Sequence, residues 1–138
     1  MKILSKVRNR ESGRGTVDIV HHGLAADESR QLARRLLRLR QERRRHFAPV
    51  DVSGPAWDLV LVLFGLPGDE RNLCVGDLAT RASIPRTTTV RWVRELGKHG
   101  FVAVFDDSKD KRAVRVQLTP AGERAVEWTF ASANLKVR

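Results

Sequence analysis

Two helix-periodic segments joined at the sharp break Ser83-Ile84-Pro85, followed at once by two strand-like runs around a charged loop, predict a winged helix-turn-helix. The expected class is mainly α with a small β wing, flanked by N- and C-terminal helices. With 138 residues the chain has room for one domain and little more. Its 41% apolar and 30% charged residues are ordinary for a chain that folds around a core.

Residues 1–25 read as a flexible basic tail, rich in Lys, Arg, Gly and Ser and without a period that could bury a face. Residues 26–138 form the expected domain, with a core over 55–120. The spacing predicts a helix over Asp27–Phe47, capped by the Asp27 carboxylate. Leu32, Leu36, Leu39 and Phe47 fall on one stripe, with Arg34, Arg38, Gln41 and Arg45 opposite. That stripe must be buried on the domain or on another copy of the chain. The arginine face is either a solvated surface or a phosphate contact. Pro49–Pro55 is a connector, and a second helix covers Pro55–Leu66, with Trp57, Val60, Leu61 and Phe64 on one face; Pro67, Gly68 and Asp69 end it.

A short helix over Gly76–Ala82 turns Leu78, Ala79 and Ala82 inward. After the break, Pro85 suits the first turn of a longer helix reaching His99, because its missing amide hydrogen costs nothing there. Gly100 is placed to close that helix in the left-handed conformation, with Phe101 folding back on its last turn. The strand-like runs are Phe101–Phe105 and Ala113–Leu118. In the second, Val114, Val116 and Leu118 alternate with Arg115 and Gln117. The loop between them, Asp106-Asp107-Ser108-Lys109-Asp110-Lys111-Arg112, is too polar to be buried.

The net charge of +10 points to a polyanionic partner: nucleic acid, an acidic membrane surface or an acidic protein. Residues 1–50 carry 13 Lys/Arg against 5 Asp/Glu, a net of +8, while residues 51–138 carry 13 against 11, a net of +2. Within the second part, residues 81–115 hold 9 basic and 4 acidic side chains. Positive charge therefore gathers in the N-terminal stretch and again around the helix-turn-helix.

Angles along the second helix of that motif place Thr89, Val93 and Leu96 inward, flanked by Val90 and Trp92. Thr87, Thr88, Arg91, Arg94 and Glu95 point outward. Small hydroxyls at a helix start let the backbone approach DNA and donate to phosphate, and an arginine can donate two hydrogen bonds to guanine O6 and N7. The candidate DNA-binding residues are Arg86, Thr87, Thr88, Arg91 and Arg94 on the helix, with Lys109, Lys111 and Arg112 in the wing. Lys111 or Arg112 is expected to enter the minor groove beside the reading helix.

These segments resemble the MarR family of bacterial transcriptional regulators. The likeness rests on Asp110-Lys111-Arg112-Ala113, the strand Val114–Leu118, and Leu118-Thr119-Pro120-Ala121-Gly122 opening the last helix. Arg94-Glu95-Leu96 followed by Gly100-Phe101-Val102 adds to it, and together they cover residues 55–128. The resemblance implies double-stranded DNA as partner and a homodimer joined through terminal helices, with two reading helices on a palindromic site. The C-terminal segment Pro120–Arg138 is shorter than the long helices usual in the family, so the Leu32–Phe47 stripe is the expected substitute at the dimer contact.

Other chemistries find little support. Cys74 is the only cysteine, which excludes an internal disulfide and a multi-cysteine zinc site. It lies beside Leu73 and Val75 in an apparent buried strand, where a packing role is favoured over redox sensing. The adjacent His21 and His22 make a poor metal site, so no metal and no cofactor are expected. There is no Gly-rich phosphate loop, HExxH or GxSxG, and an enzyme is not expected. The longest strongly apolar run, Leu59–Leu66, is too short to span a bilayer, and Met1–Val20 lacks the apolar segment of a secretory signal. The expectation is a cytoplasmic, nucleoid-associated protein with no membrane partner; a small-molecule effector stays open, though nothing in the sequence supports one. Two other function classes stay open: a winged-helix module that binds protein, and a nonspecific nucleic-acid binder driven by the arginines of residues 30–45.

Overall fold

A computed structural model describes residues 25–107, 109 and 113–135. Among the described residues, five helices and three short strands follow one another: α1 Ala26–His46, α2 Pro55–Phe64, β1 Asn72–Cys74, α3 Val75–Ala82, α4 Arg86–Lys98, β2 Val102–Asp106, β3 Val114–Leu118 and α5 Pro120–Ser132. The sheet is antiparallel throughout, in the order β1-β3-β2. Contacts divide the chain into two units, Met1–Leu36 and Leu37–Arg138. The expected tail falls outside the described residues except for Ala25.

In the first unit the described residues are Ala25 and the opening turns of α1. Asp27 and Glu28 stand in the first helical turn, where their charges suit the unpaired amide groups. Asp27 is thus inside the helix and not its cap; its carboxylate lies 3.7 Å from the Arg30 guanidinium. Leu32 and Leu36 are exposed, at 36% and 52%.

The second unit holds the core. The remaining turns of α1 lead into Phe47, which is fully buried against Trp57 and Phe101 with ring centroids 6.1 and 5.0 Å away. Of the expected stripe, the part within this unit enters the core at Phe47, with Leu39 half-buried. Helix α2 buries Ala56, Trp57, Leu59, Val60 and Leu63. Its inward face is rotated from the expected one: Leu61 is exposed and Phe64 half-buried. In an almost wholly apolar segment, periodicity cannot choose the face. The helix ends at Phe64, two residues short of the expected Leu66, with Gly65 as its C-terminal cap.

The register of β3 explains how the hairpin joins the core. Val116 sits opposite Leu73 on one side and Val104 on the other, and Leu118 opposite Val102. Val116 and Leu118 are buried, whereas Val114, next to the loop that joins the two strands, is exposed. The last helix starts at a tight junction. The Thr119 hydroxyl accepts from the Gly122 amide at 3.1 Å and donates to the Gly100 carbonyl, while the Thr119 amide donates to the Phe101 carbonyl at 3.1 Å. Gly122 is buried there, and a Cβ at that position would overlap the Phe101 carbonyl oxygen and stand 3.1 Å from Leu118 Cδ2.

Candidate nucleic-acid interface

Helices α3 and α4 are joined by Ser83, Ile84 and Pro85. Ser83 adopts a left-handed conformation at φ 55°, and the Ile84 amide reaches back to the Ala79 carbonyl at 3.0 Å. This closes α3 and reverses the chain sharply. Pro85 precedes α4 with extended backbone, ψ 143°, so it caps the helix from outside and is not part of the first turn. Its carbonyl accepts both the amide and the hydroxyl of Thr89, at 3.0 and 3.1 Å. Those two bonds satisfy the amide and the hydroxyl of a residue with no solvent exposure.

The burial of α4 follows the expected division: Thr89, Val93 and Leu96 are buried. Trp92 is half-buried and packs against the core, and Val90 is exposed. Arg86, Thr87, Arg91 and Arg94 are all exposed. Thr88 and Glu95 are half-buried, so they sit on the shoulder of the helix and not at the centre of its outer face. Lys98 is also exposed and is spaced with Thr87, Arg91 and Arg94 at i, i+4, i+7 and i+11, which forms one outward ridge. Sequence reasoning missed Lys98; helical spacing from Arg94 was the available signal. The ridge is about 16 Å long at 1.5 Å per residue.

Arg86 is turned differently from the ridge. A Cβ on Gly76 would meet its Nη1 at 3.4 Å, so its guanidinium lies against the first turn of α3. Arg91 leans toward Trp92, with the guanidinium carbon 5.7 Å from the ring centroid. Both line a shallow cleft with Glu95 and the connector residues Pro49, Val50 and Asp51. Nearby, Arg43 stacks over Trp57 at 5.1 Å; burial pushes its guanidinium below the ordinary arginine range, while Asp51 acts in the opposite direction.

Helix α4 ends as expected: Gly100 is left-handed at φ 78°, and the buried Phe101 donates its amide to the Leu96 carbonyl at 3.0 Å. The chain then enters the wing. The Arg115 side chain, read from sequence only as an outward strand position, ties the wing base together. Its Nε donates to Asn72 Oδ1 on β1, and its Nη1 lies 3.4 Å from Asp107 Oδ2 at the end of β2. Asp107 in turn accepts the Lys109 amide at 2.8 Å. Lys109 is exposed, whereas Lys111 and Arg112 lie outside the described residues.

Cys74 is half-buried at the end of β1, and its Sγ accepts the Asp77 amide at 3.4 Å as the cap of α3. The thiol thus has a hydrogen-bonding place beyond the packing role expected of it. Among the described residues, no group of three His, Cys, Asp or Glu side chains could hold a metal ion, and no helix is long and apolar enough to cross a membrane.

The MarR family profile matches residues 68–114, the stretch from the loop before β1 to the start of β3. No curated protein sequence matches the chain. Solved structures resemble it in fold. The MepR–DNA complex of S. aureus superposes with a TM-score of 0.62 at 18% identity, covering 79% of this chain and 83% of that one. NadR in complex with 4-hydroxyphenylacetate gives 0.54 at 23% identity, covering 82% and 76%. A mutant MarR from E. coli complexed with operator DNA gives 0.52 at 17% identity, covering 77% and 73%. The chain therefore has the winged helix-turn-helix fold of these structures and resembles the MarR family over its helix-turn-helix and first wing strand.

Proposed function

We propose that this chain is a sequence-specific, DNA-binding transcriptional regulator of the MarR type, a cytoplasmic binding protein and not an enzyme. The observation that carries this reading is the outward ridge Thr87, Arg91, Arg94 and Lys98 on a helix whose other face is firmly buried. Such a helix fits the major groove, about 12 Å wide, with polar and cationic side chains toward base edges and phosphates. The wing beside it carries Lys109, Lys111 and Arg112 toward the minor groove. Arg86 and Thr88, at the start of α4, are assigned to the backbone phosphates. MepR and MarR were solved with DNA, and the shared fold supports carrying that partner over.

The regulator acts as a homodimer. Leu32 and Leu36, exposed on one stripe of α1, are the surface a second copy would cover. Residues 1–25 form a basic tail that adds sequence-independent attraction, and residues 26–138 form the reading domain with its flanking helices.

Substitution of Arg91 tests the assignment. Arg91→Ala is expected to cost about 1–3 kcal/mol on a selected duplex and to blur preference at one or two base pairs, while binding to random duplex changes little. A variant that kept full sequence preference in a binding-selection assay would remove α4 from the reading role.

A further inference from the structure

The geometry points to Trp92 as a positioning residue for Arg91, and so as a determinant of sequence preference that need not itself touch DNA. The inference rests on the reading of α4 given above. Arg91 is exposed and its long side chain is free to rotate in water unless something holds it. Its neighbour Trp92 is half-buried and packed against the core, so the indole cannot follow solvent motions. The Arg91 guanidinium carbon lies 5.7 Å from that ring, inside the range where the ring quadrupole attracts a cation. A guanidinium is planar and weakly hydrated, so it stacks on an indole with little desolvation cost and keeps its edge N–H groups available for bidentate donation.

Neighbouring groups restrict the alternatives. Arg91, Trp92 and Glu95 line one cleft with Pro49, Val50 and Asp51. Glu95 stands one turn beyond Arg91 on α4, and Asp51 is on the connector. Both carboxylates favour a cation on this side of the helix. Arg91 is thus biased to one side before DNA arrives, and less side-chain entropy is lost when it reaches a base. A lysine or a free arginine at position 91 would supply the charge without the fixed plane.

The test uses the full chain and four variants: Arg91→Ala, Trp92→Leu, the double substitution, and Trp92→Phe. Duplexes are first selected from a random pool by the wild-type protein. Affinities for the selected duplex, its single-base variants and a random duplex are then measured by fluorescence anisotropy, with folding checked by circular dichroism. Trp92→Leu is expected to cut discrimination at the Arg91-dependent base pair by about 2- to 5-fold, the range expected of a partly exposed cation–π contact, with random-duplex affinity unchanged. Trp92→Phe, which keeps an aromatic face, should retain most of the discrimination. The double variant should discriminate no worse than Arg91→Ala alone.

Because a partly unfolded sample weakens all duplexes alike, the discrimination ratio is insensitive to lost stability. Additive losses in the double variant, or equal losses from Trp92→Leu on selected and random duplexes, would overturn the positioning role while leaving α4 as reader. A Phe variant as poor as the Leu variant would overturn it too. If Arg91→Ala itself left discrimination intact, the reading of α4 would fail and this inference with it.

Discussion

Replacing Gly122 by alanine should be among the most damaging single methyl additions in the domain. On helix propensity alone the change would stabilise α5 by up to about 1 kcal/mol. The structure reverses that sign. Gly122 is buried at the start of α5, and its α-carbon faces the backbone of Phe101 and the Leu118 side chain. The new methyl overlaps a carbonyl oxygen that is fixed by the Thr119 amide, and Leu118 at 3.1 Å closes the other direction. Relief requires moving α5 away from the end of α4. Overpacking of this kind costs about 1–3 kcal/mol. Weakening the Thr119–Phe101 hydrogen bond adds about 0.5–1.5 kcal/mol, and disturbing the Thr119 cap about 0.5–2 kcal/mol. After subtracting the propensity gain, a net loss of roughly 1–5.5 kcal/mol is expected. Urea denaturation followed by circular dichroism at 222 nm (an ordinary far-ultraviolet helix signal) would show the midpoint falling with an unchanged slope. A neutral or stabilising Gly122→Ala would refute the close approach of α5 to the Phe101 carbonyl.

Two further perturbations separate wing from dimer. Arg115→Met removes the bridge between Asn72 and Asp107; stability should fall by about 1 kcal/mol, and affinity for every duplex should drop more than that as the wing base loosens, measurable by paired denaturation and anisotropy titrations. Intact affinity in that variant would show that the wing does not depend on this bridge. Leu32→Asp together with Leu36→Asp, at positions exposed in the single chain, should leave a folded monomer by circular dichroism while light scattering reports loss of the dimer and DNA affinity falls. An unchanged molar mass would place the dimer contact elsewhere.

Much of α4 was legible because it is strongly amphipathic: Thr89, Val93 and Leu96 are buried, and Arg91 and Arg94 exposed, as helical spacing required. Gly100 was legible for a related reason, since a glycine directly after a helix is the residue that tolerates a left-handed close. The face of α2 was not, because PAWDLVLVLF is apolar on nearly every side and only tertiary packing selects Leu59 and Leu63 over Leu61. Nor was the role of Arg115. Its partner Asn72 is 43 residues away, and a three-residue strand such as β1 carries too little pattern to announce what it pairs with. Asp27 shows a smaller limit: a cap and a first-turn acid have the same sequence signature, and both satisfy the same amide groups. At the ridge, Thr88 was expected outward and lies on the shoulder, while Lys98, to which no role was given, is exposed on the outer face; the edge of a helix face shifts with a small rotation of the helix.

The central claim is that this domain reads a base sequence and is not merely drawn to polyanions by its charge. It is tested most directly by the ratio of affinities for a selected and a random duplex, measured with purified full-length protein at fixed, near-physiological salt. A reading helix in the major groove predicts a ratio of about 10³ or more. A ratio near one, with both affinities falling steeply and in parallel as salt is raised, would contradict it and leave only counterion release by the basic segments.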